Sequence, residues 1–277
     1  MTDSEVFIEV SITLPKDHSL DLATRLDNQV LTSLSGYYEV LYEEGQQTEQ
    51  AVFKLYFPAN YTSASAEVEA LLVTLEIPDY SVEQSSINRL GYMEAYKEHY
   101  EPLRLSTRFA VIPNWHKASQ IEQDFAKQFE SEYLPLYLDP GLAFGTGRHA
   151  TTQMMIEWID SQDWHNLRLL DAGCGSGILS LAALKKGAAH ATAFDIDRNA
   201  VNATVENLIE NQIPENKYSV FEGGWDLPQL QNIQFDVILA NITMNIFVEY
   251  RKIINQIQSN RLVVSGVLQE MKERFIE

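Results

Sequence analysis

Three alternate glycines, Gly173, Gly175 and Gly177, break the apolar run LLDAGCGSGILSLAAL between Leu169 and Leu184. The residues before them read as a strand, and those after them resume with helical spacing. Only glycine lets a backbone turn so sharply and come into contact with a small molecule, so the three mark a ligand loop at a strand's carboxyl end. A second strand, HATAFD, ends at Asp195. That acid falls about twenty residues past the loop, where a carboxylate can accept both hydroxyls of a ribose. Loop and acid together point to a nucleoside.

A dinucleotide fingerprint needs its third glycine where this chain has Ile178; here the pattern is Gly-x-Gly-x-Gly preceded by Asp171. That spacing resembles the cofactor loop of class I methyltransferases that use S-adenosylmethionine, in which the glycine turn meets the amino-acid part and the next strand's acid meets the ribose. A dinucleotide enzyme and a plain parallel-sheet turn are the alternatives. Three glycines together carry an entropic cost that a plain turn need not incur. Cys174, the one cysteine of the chain, lies inside the loop. It can form no internal disulfide there, and its small side chain suits tight packing.

Two further groups could do chemistry. In LDPGLAFGTGRHATTQMMIEWID, a glycine-rich stretch precedes a helix starting near His149, which puts Thr151 and Thr152 in its first turn. A hydroxyl there is available to the polar end of a ligand at the glycine loop, or to an ordinary helix cap. His149 itself reads as a cap rather than a base. The strand FDVILAN ends at Asn241, on the same sheet edge as Gly173 and Asp195, and an amide there can hold an incoming amine by its hydrogen.

These residues need a mostly parallel sheet to carry them. Strands are expected near 168–172, 190–195, 217–221, 235–240 and 261–266 with helices between, and Asp197 is expected to cap the helix that begins RNAVNATVENL. The first ninety residues read instead as strand, helix, strand, strand, helix, strand. Val6, Ile8, Val10 and Ile12 alternate, a helix spans about Leu20 to Leu34, and GYYEVLYEEG and AVFKLYFP flank a turn around Gly45-Gln46-Gln47. A helix from near Ser63 then carries Val68, Leu71, Leu72 and Leu75 on one stripe, and YSVEQSSIN closes the set. This is the order of a ferredoxin-like α+β module, read as a recognition domain because it holds no chemical cluster, with a purely structural role as the alternative. The domain reading is therefore 1–90 for recognition, 91–104 as a helical linker in which Tyr92, Tyr96 and Tyr100 form an aromatic stripe, and 105–277 for the nucleoside domain. In this last part, LRLSTRFAVIP supplies strand material and Gln120 to Glu132 a surface helix or loop.

Acids outnumber bases throughout. The net charge is −19, of which −12 falls in residues 1–104 and −7 in residues 105–277. Binding a phosphate backbone needs clustered Lys and Arg, so this balance disfavours direct nucleic-acid binding and suits a basic protein partner, with solubility alone as the alternative. MTDSEVFIEV lacks a signal-peptide layout and no long apolar run occurs, which gives the expectation of a cytoplasmic protein without membrane contact.

With these pieces assembled, the chain resembles the bacterial ribosomal protein methyltransferases of the PrmA family, which modify the large-subunit stalk-base protein numbered eleven. DPGLAFGTGRHATT from Asp139, LLDAGCGSGILSLAALKKGA from Leu169 and FDVILANI from Phe235 carry the match, the first most specifically. The resemblance implies a class I, Rossmann-like α/β fold with a mostly parallel sheet behind a small ferredoxin-like domain. It implies S-adenosylmethionine as cofactor, bound by Thr152, Gly173, Gly175, Asp195 and Asn241, with Asn241 also next to the attacking amine. It implies methylation of lysine and terminal amines on a basic ribosomal protein held by the front domain. The family's loop commonly has Thr-His-Pro where Arg148-His149-Ala150 stand here, and two strands commonly follow RLVVSG, where this sequence continues only with VLQEMKERFIE. The sheet is accordingly expected to lack its last strands and to leave an edge open. Rival readings are a class I methyltransferase acting on another protein, an RNA or a small molecule, and a non-catalytic nucleoside sensor.

Overall fold

Apolar and polar residues alternate from Val6 to Pro15, and this stretch forms β1 (Val6–Pro15), which buries Val10, Ile12 and Leu14 completely. The computed structural model describes residues 6–27, 31, 33–34, 36–40, 49–88, 97, 100–130, 132–139 and 145–266. They fall into two units, Met1–Tyr100 and Glu101–Glu277.

In the first unit, β1 is followed by α1 (Ser19–Asp27), β2 (Gly36–Val40), β3 (Gln50–Pro58), α2 (Ala64–Thr74) and β4 (Ser81–Asn88). The antiparallel order β2-β3-β1-β4 is the ferredoxin-like arrangement. One face of the sheet and both helices share a core that includes Leu22, Phe53, Leu55, Phe57, Val68 and Leu72. The first helix ends well before Leu34. Leu31 reaches the core from a turn closed by the Leu34 N–H on the Leu31 carbonyl, so apolar spacing that continues the helix in sequence is met by a turn. The expected turn at Gly45-Gln46-Gln47 and the residues Tyr92 and Tyr96 lie outside the described residues, whereas Tyr100 is buried.

The second unit holds two sheets. β5 (Leu103–Arg104), β6 (Phe109–Pro113) and β7 (Leu134–Leu138) form a small one, with α3 (Gln120–Ala126) between β6 and β7. Leu103 and Arg104 thus pair with β6 and belong to this sheet rather than to a linker. Next come α4 (Ala150–Ser161), β8 (Arg168–Ala172), α5 (Ile178–Lys185), β9 (His190–Asp195), α6 (Arg198–Glu210), β10 (Tyr218–Glu222), β11 (Phe235–Asn241), α7 (Met244–Ile254) and β12 (Ser259–Ser265). All pairings in the order β10-β9-β8-β11-β12 are parallel. Leu169, Val237 and Leu239 point to one face, under α4 and α5; Leu170, Ile238 and Ala240 point to the other, with Phe247 and Ile254 of α7. Burial on both faces explains why these strands read as continuous apolar runs. Among the described residues β12 pairs only with β11, and the chain after Gly266, where further strands would fall, lies outside them. No helix among them is long and apolar enough to cross a membrane.

Two buried carboxylates lock this frame. Asp160, at the end of α4, accepts bonds from Thr107 Oγ1 at 2.7 Å and Arg108 Nε at 2.7 Å. Burial works to raise its pKa, but the hydrogen bonds from Thr107, Ser106 and Arg108 prevail and hold it below the usual carboxylate range. Glu122 of α3 accepts from Ala118 N at 2.6 Å and from Tyr137 Oη on β7 at 2.7 Å. These contacts tie the small sheet to its own connecting helix.

Candidate active site

Strands β9, β8 and β11 are neighbours, so their carboxyl ends bring Asp195, Gly173 and Asn241 to one edge. The winding reverses between β8 and β11, and the crevice such a reversal opens is where α/β sheets bind ligands.

Left-handed φ values of +71°, +53° and +76° at Gly173, Gly175 and Gly177 are what the glycines permit. The turn is fastened to the neighbouring strand, since Gly173 N and Cys174 N donate to the Phe194 carbonyl at 2.9 and 3.0 Å. A side chain at Gly173 would put its Cβ 2.5 Å from Ile242 Cγ2, and one at Gly177 would come within 2.7 Å of Thr204 Cγ2. Gly177 is buried and begins α5, so it serves the packing of α5 on α6, while Gly173 and Gly175 keep partly exposed backbone. Cys174 is buried, its thiol pKa pushed up by burial, and its sulfur lies 3.2 Å from Thr204 Oγ1. It is a packing residue.

Asp195 is half-buried beside this loop. Its Oδ2 accepts Gly175 N at 2.9 Å and its Oδ1 accepts Asp197 N at 3.0 Å. Each carboxylate oxygen has two lone pairs, so one on each remains to receive a vicinal diol. Asp197 caps α6 by accepting Asn199 N at 2.8 Å, the structural role expected of it. Between the two acids Ile196 is 79% exposed, an apolar surface next to the carboxylate that sequence reading passed over. A partly open glycine turn, a carboxylate with lone pairs to spare and an exposed apolar side chain together suit a nucleoside's polar, sugar and base parts.

The expected residues of α4 and β11 also meet. Asn241 Nδ2 donates to Thr152 Oγ1 at 3.2 Å, across 89 residues of sequence. Thr152 is 1% exposed. Its hydroxyl accepts from the amide and keeps its own proton to donate. His149 is the N-cap of α4, with Nδ1 accepting Thr151 N at 3.2 Å. That is the capping role rather than that of a base.

Sequence reading assigned no role to the buried face of α6. Thr204 Oγ1 donates to Gly175 O at 2.9 Å, Asn207 Nδ2 donates to Ser176 O at 2.9 Å, and Asn207 Oδ1 accepts Asp139 N at 3.3 Å. Asn211 accepts Tyr137 N at 3.0 Å and donates to Tyr137 O at 2.6 Å. Three polar residues at helical spacing on a stripe that also holds Ala200, Ala203 and Leu208 were the available signal. Ser176 Oγ adds a bond to the Gly145 carbonyl at 2.7 Å.

Beneath the loop, Asp171 is fully buried, and its Oδ2 accepts Ser180 N at 3.0 Å and Ser180 Oγ at 2.7 Å. Burial pushes its carboxyl up to about 7, against the pull of the Ser180 bonds. The folded chain therefore holds a proton that the unfolded chain releases near pH 4, and stability falls as pH rises from about 4 to about 7, levelling off above. The change is a few kcal/mol at most, at roughly 1.4 kcal/mol per pH unit. Asp171→Asn keeps an acceptor for Ser180 and is expected to lose this slope. The melting temperature of the wild type relative to that of the variant should fall as pH rises from about 4 to about 7; parallel curves would contradict the assignment.

The model of the family described as ribosomal protein L11 methyltransferase (PrmA) matches residues 4–277. A protein of Leptospira interrogans named ribosomal protein L11 methyltransferase is 32% identical over 277 residues, covering 97% of this chain and 89% of the relative. One of the same name from Pseudomonas fluorescens is 39% identical over 182 residues, covering 65% and 57%. The crystal structure of ribosomal protein L11 methylase from Lactobacillus delbrueckii subsp. bulgaricus matches with a TM-score of 0.53 at 28% identity, over 64% of this chain and 86% of that one.

Proposed function

The chain belongs to the ribosomal protein L11 methyltransferase (PrmA) family, and from that premise we propose that it moves methyl groups from S-adenosylmethionine to lysine and terminal amines of ribosomal protein L11. The observation that carries the site reading is the meeting of Asn241, Thr152, Asp195 and the glycine turn at neighbouring strand ends. When bound, S-adenosylmethionine supplies an electrophilic methyl group on a positively charged sulfur. Gly173 and Gly175 would hold it by close backbone approach, Asp195 through its remaining lone pairs, and Ile196 by apolar contact with the base.

The chain's own work is alignment. Thr152 takes one hydrogen of the Asn241 amide, which turns the amide so that Oδ1 is the acceptor left for the incoming amine. A lysine with a pKa near 10.4 is neutral in only roughly one molecule in a few thousand at pH 7. Burial, with the positive charge of the bound donor close by, would favour that form, and the Asn241 oxygen, by accepting one N–H of the neutral amine, would direct its lone pair.

Residues 1–90 are the recognition module in this reading, and the net charge of −12 over residues 1–104 supports a basic ribosomal protein as the partner and counts against direct binding of nucleic acid. A ribosomal substrate supports a cytoplasmic location. Incubating the protein with radiolabelled S-adenosylmethionine and ribosomal extract is expected to label one small basic protein. A labelled RNA, or no label at all, would overturn the reading.

A further inference from the structure

We propose that Asn207, helped by Thr204, is a positioning residue for the cofactor loop: from inside α6 it sets the loop's peptide planes and so governs cofactor affinity without touching the cofactor. This rests on the reading of the glycine turn as the cofactor site. Asn207 is 3% exposed and Thr204 fully buried, so neither can be a direct ligand. Both are bonded to the loop's backbone. Thr204 holds the carbonyl of Gly175 and Asn207 holds that of Ser176, at 2.9 Å each. In a trans peptide the N–H points opposite to the C=O. Drawing these two carbonyls toward α6 therefore turns the N–H groups of Ser176 and Gly177 away from it, and Gly177 N is found on the Cys174 carbonyl at 2.7 Å, closing the turn. Gly175, whose carbonyl is pinned, is also the residue whose N–H holds Asp195. Setting α6 thereby sets the ribose acid and the loop together.

The Asn207 amide acts at both ends. Its Oδ1 accepts the Asp139 N–H, so the backbone that enters the family's most specific segment is fixed to the same side chain as the loop. A buried amide bonded at both ends is costly to replace, because an apolar side chain takes a partner away from a carbonyl and from an N–H.

Asn211 supplies the control. It lies one turn further on the same stripe, is 9% exposed and makes the same kind of amide-to-backbone bonds, yet its partners are Tyr137 and the Asn207 carbonyl, not the glycine loop. A purely structural role predicts similar consequences at both positions; a positioning role separates them. The dissociation constant of S-adenosylhomocysteine is to be measured by calorimetry on wild type, Asn207→Leu, Thr204→Val and Asn211→Leu, with melting temperatures alongside. Asn207→Leu is expected to weaken binding by roughly 10- to 100-fold, corresponding to loss of one or two buried hydrogen bonds. Thr204→Val should weaken it less, and Asn211→Leu should lower the melting temperature while binding within about threefold of wild type. At saturating cofactor, turnover of Asn207→Leu should recover. Hydrogen exchange on the wild-type protein needs no variant: adding S-adenosylhomocysteine should slow the Asp139 amide, bonded to Asn207, far more than the Tyr137 amide, bonded to Asn211. Equal losses of affinity at Asn207 and Asn211, or equal slowing at Asp139 and Tyr137, would overturn the proposal alone. Failure of the wild-type protein to bind S-adenosylhomocysteine would overturn the site reading beneath it.

Discussion

Asn241→Ala is expected to lower turnover by roughly 100- to 1,000-fold while the dissociation constant for S-adenosylmethionine changes by only a few fold, because in the proposed mechanism the lost oxygen aims the nucleophile rather than holding the donor. The variant removes the acceptor and also the partner of Thr152 Oγ1. Thr152→Val separates these effects, since it leaves Asn241 in place but frees its amide to rotate. Single-turnover rates at saturating cofactor should rank wild type, then Thr152→Val, then Asn241→Ala. Near-normal turnover in Asn241→Ala would remove the residue from the mechanism.

Asp195→Ala is expected to act in the opposite sense, raising the cofactor dissociation constant by about 100-fold or more, with a smaller effect on turnover once the site is saturated. Two hydrogen bonds from a diol to a carboxylate are at stake, each worth roughly 1.5–3 kcal/mol when the acceptor is charged. The same substitution releases Gly175 N and Asp197 N, so part of the loss comes through the loop and the start of α6. Asp195→Asn, which can retain one of those bonds, should lie between. Calorimetry decides the matter, and an unchanged affinity in Asp195→Ala would place the sugar elsewhere.

Much of the frame was legible because it rests on short-range patterns. Short runs rich in apolar residues and closing near a glycine, an acid or an amide mark all five strands described in the parallel sheet to within a few residues, and β1, with its alternation, announces the ferredoxin-like unit. The strand β7 is not legible in the sequence, where Pro135 breaks the strand pattern; the proline is tolerated because, among the described residues, β7 lies at the edge of its sheet, where part of the free backbone edge is met by Asn211 instead of another strand. The helix α1 was read too long because apolar spacing alone does not tell a helical turn from a loop that dips into the core. At the site, the sequence identified which residues share an edge but not which bond to which. The contact of Thr152 with Asn241, and the grip of Thr204 and Asn207 on the loop, depend on tertiary approach that no local pattern encodes.

The adjacency of β9, β8 and β11 also works as a ruler. Neighbouring strands stand about 4.8 Å apart, so the three strand tips span about 10 Å from Asp195 to Asn241, the residues proposed to hold the sugar and the amine. That interval is held by backbone ladders at the middle of the sheet, the stiffest part of the unit. Divergence at its surface can therefore exchange one recipient for another while the stride between donor and recipient stays constant.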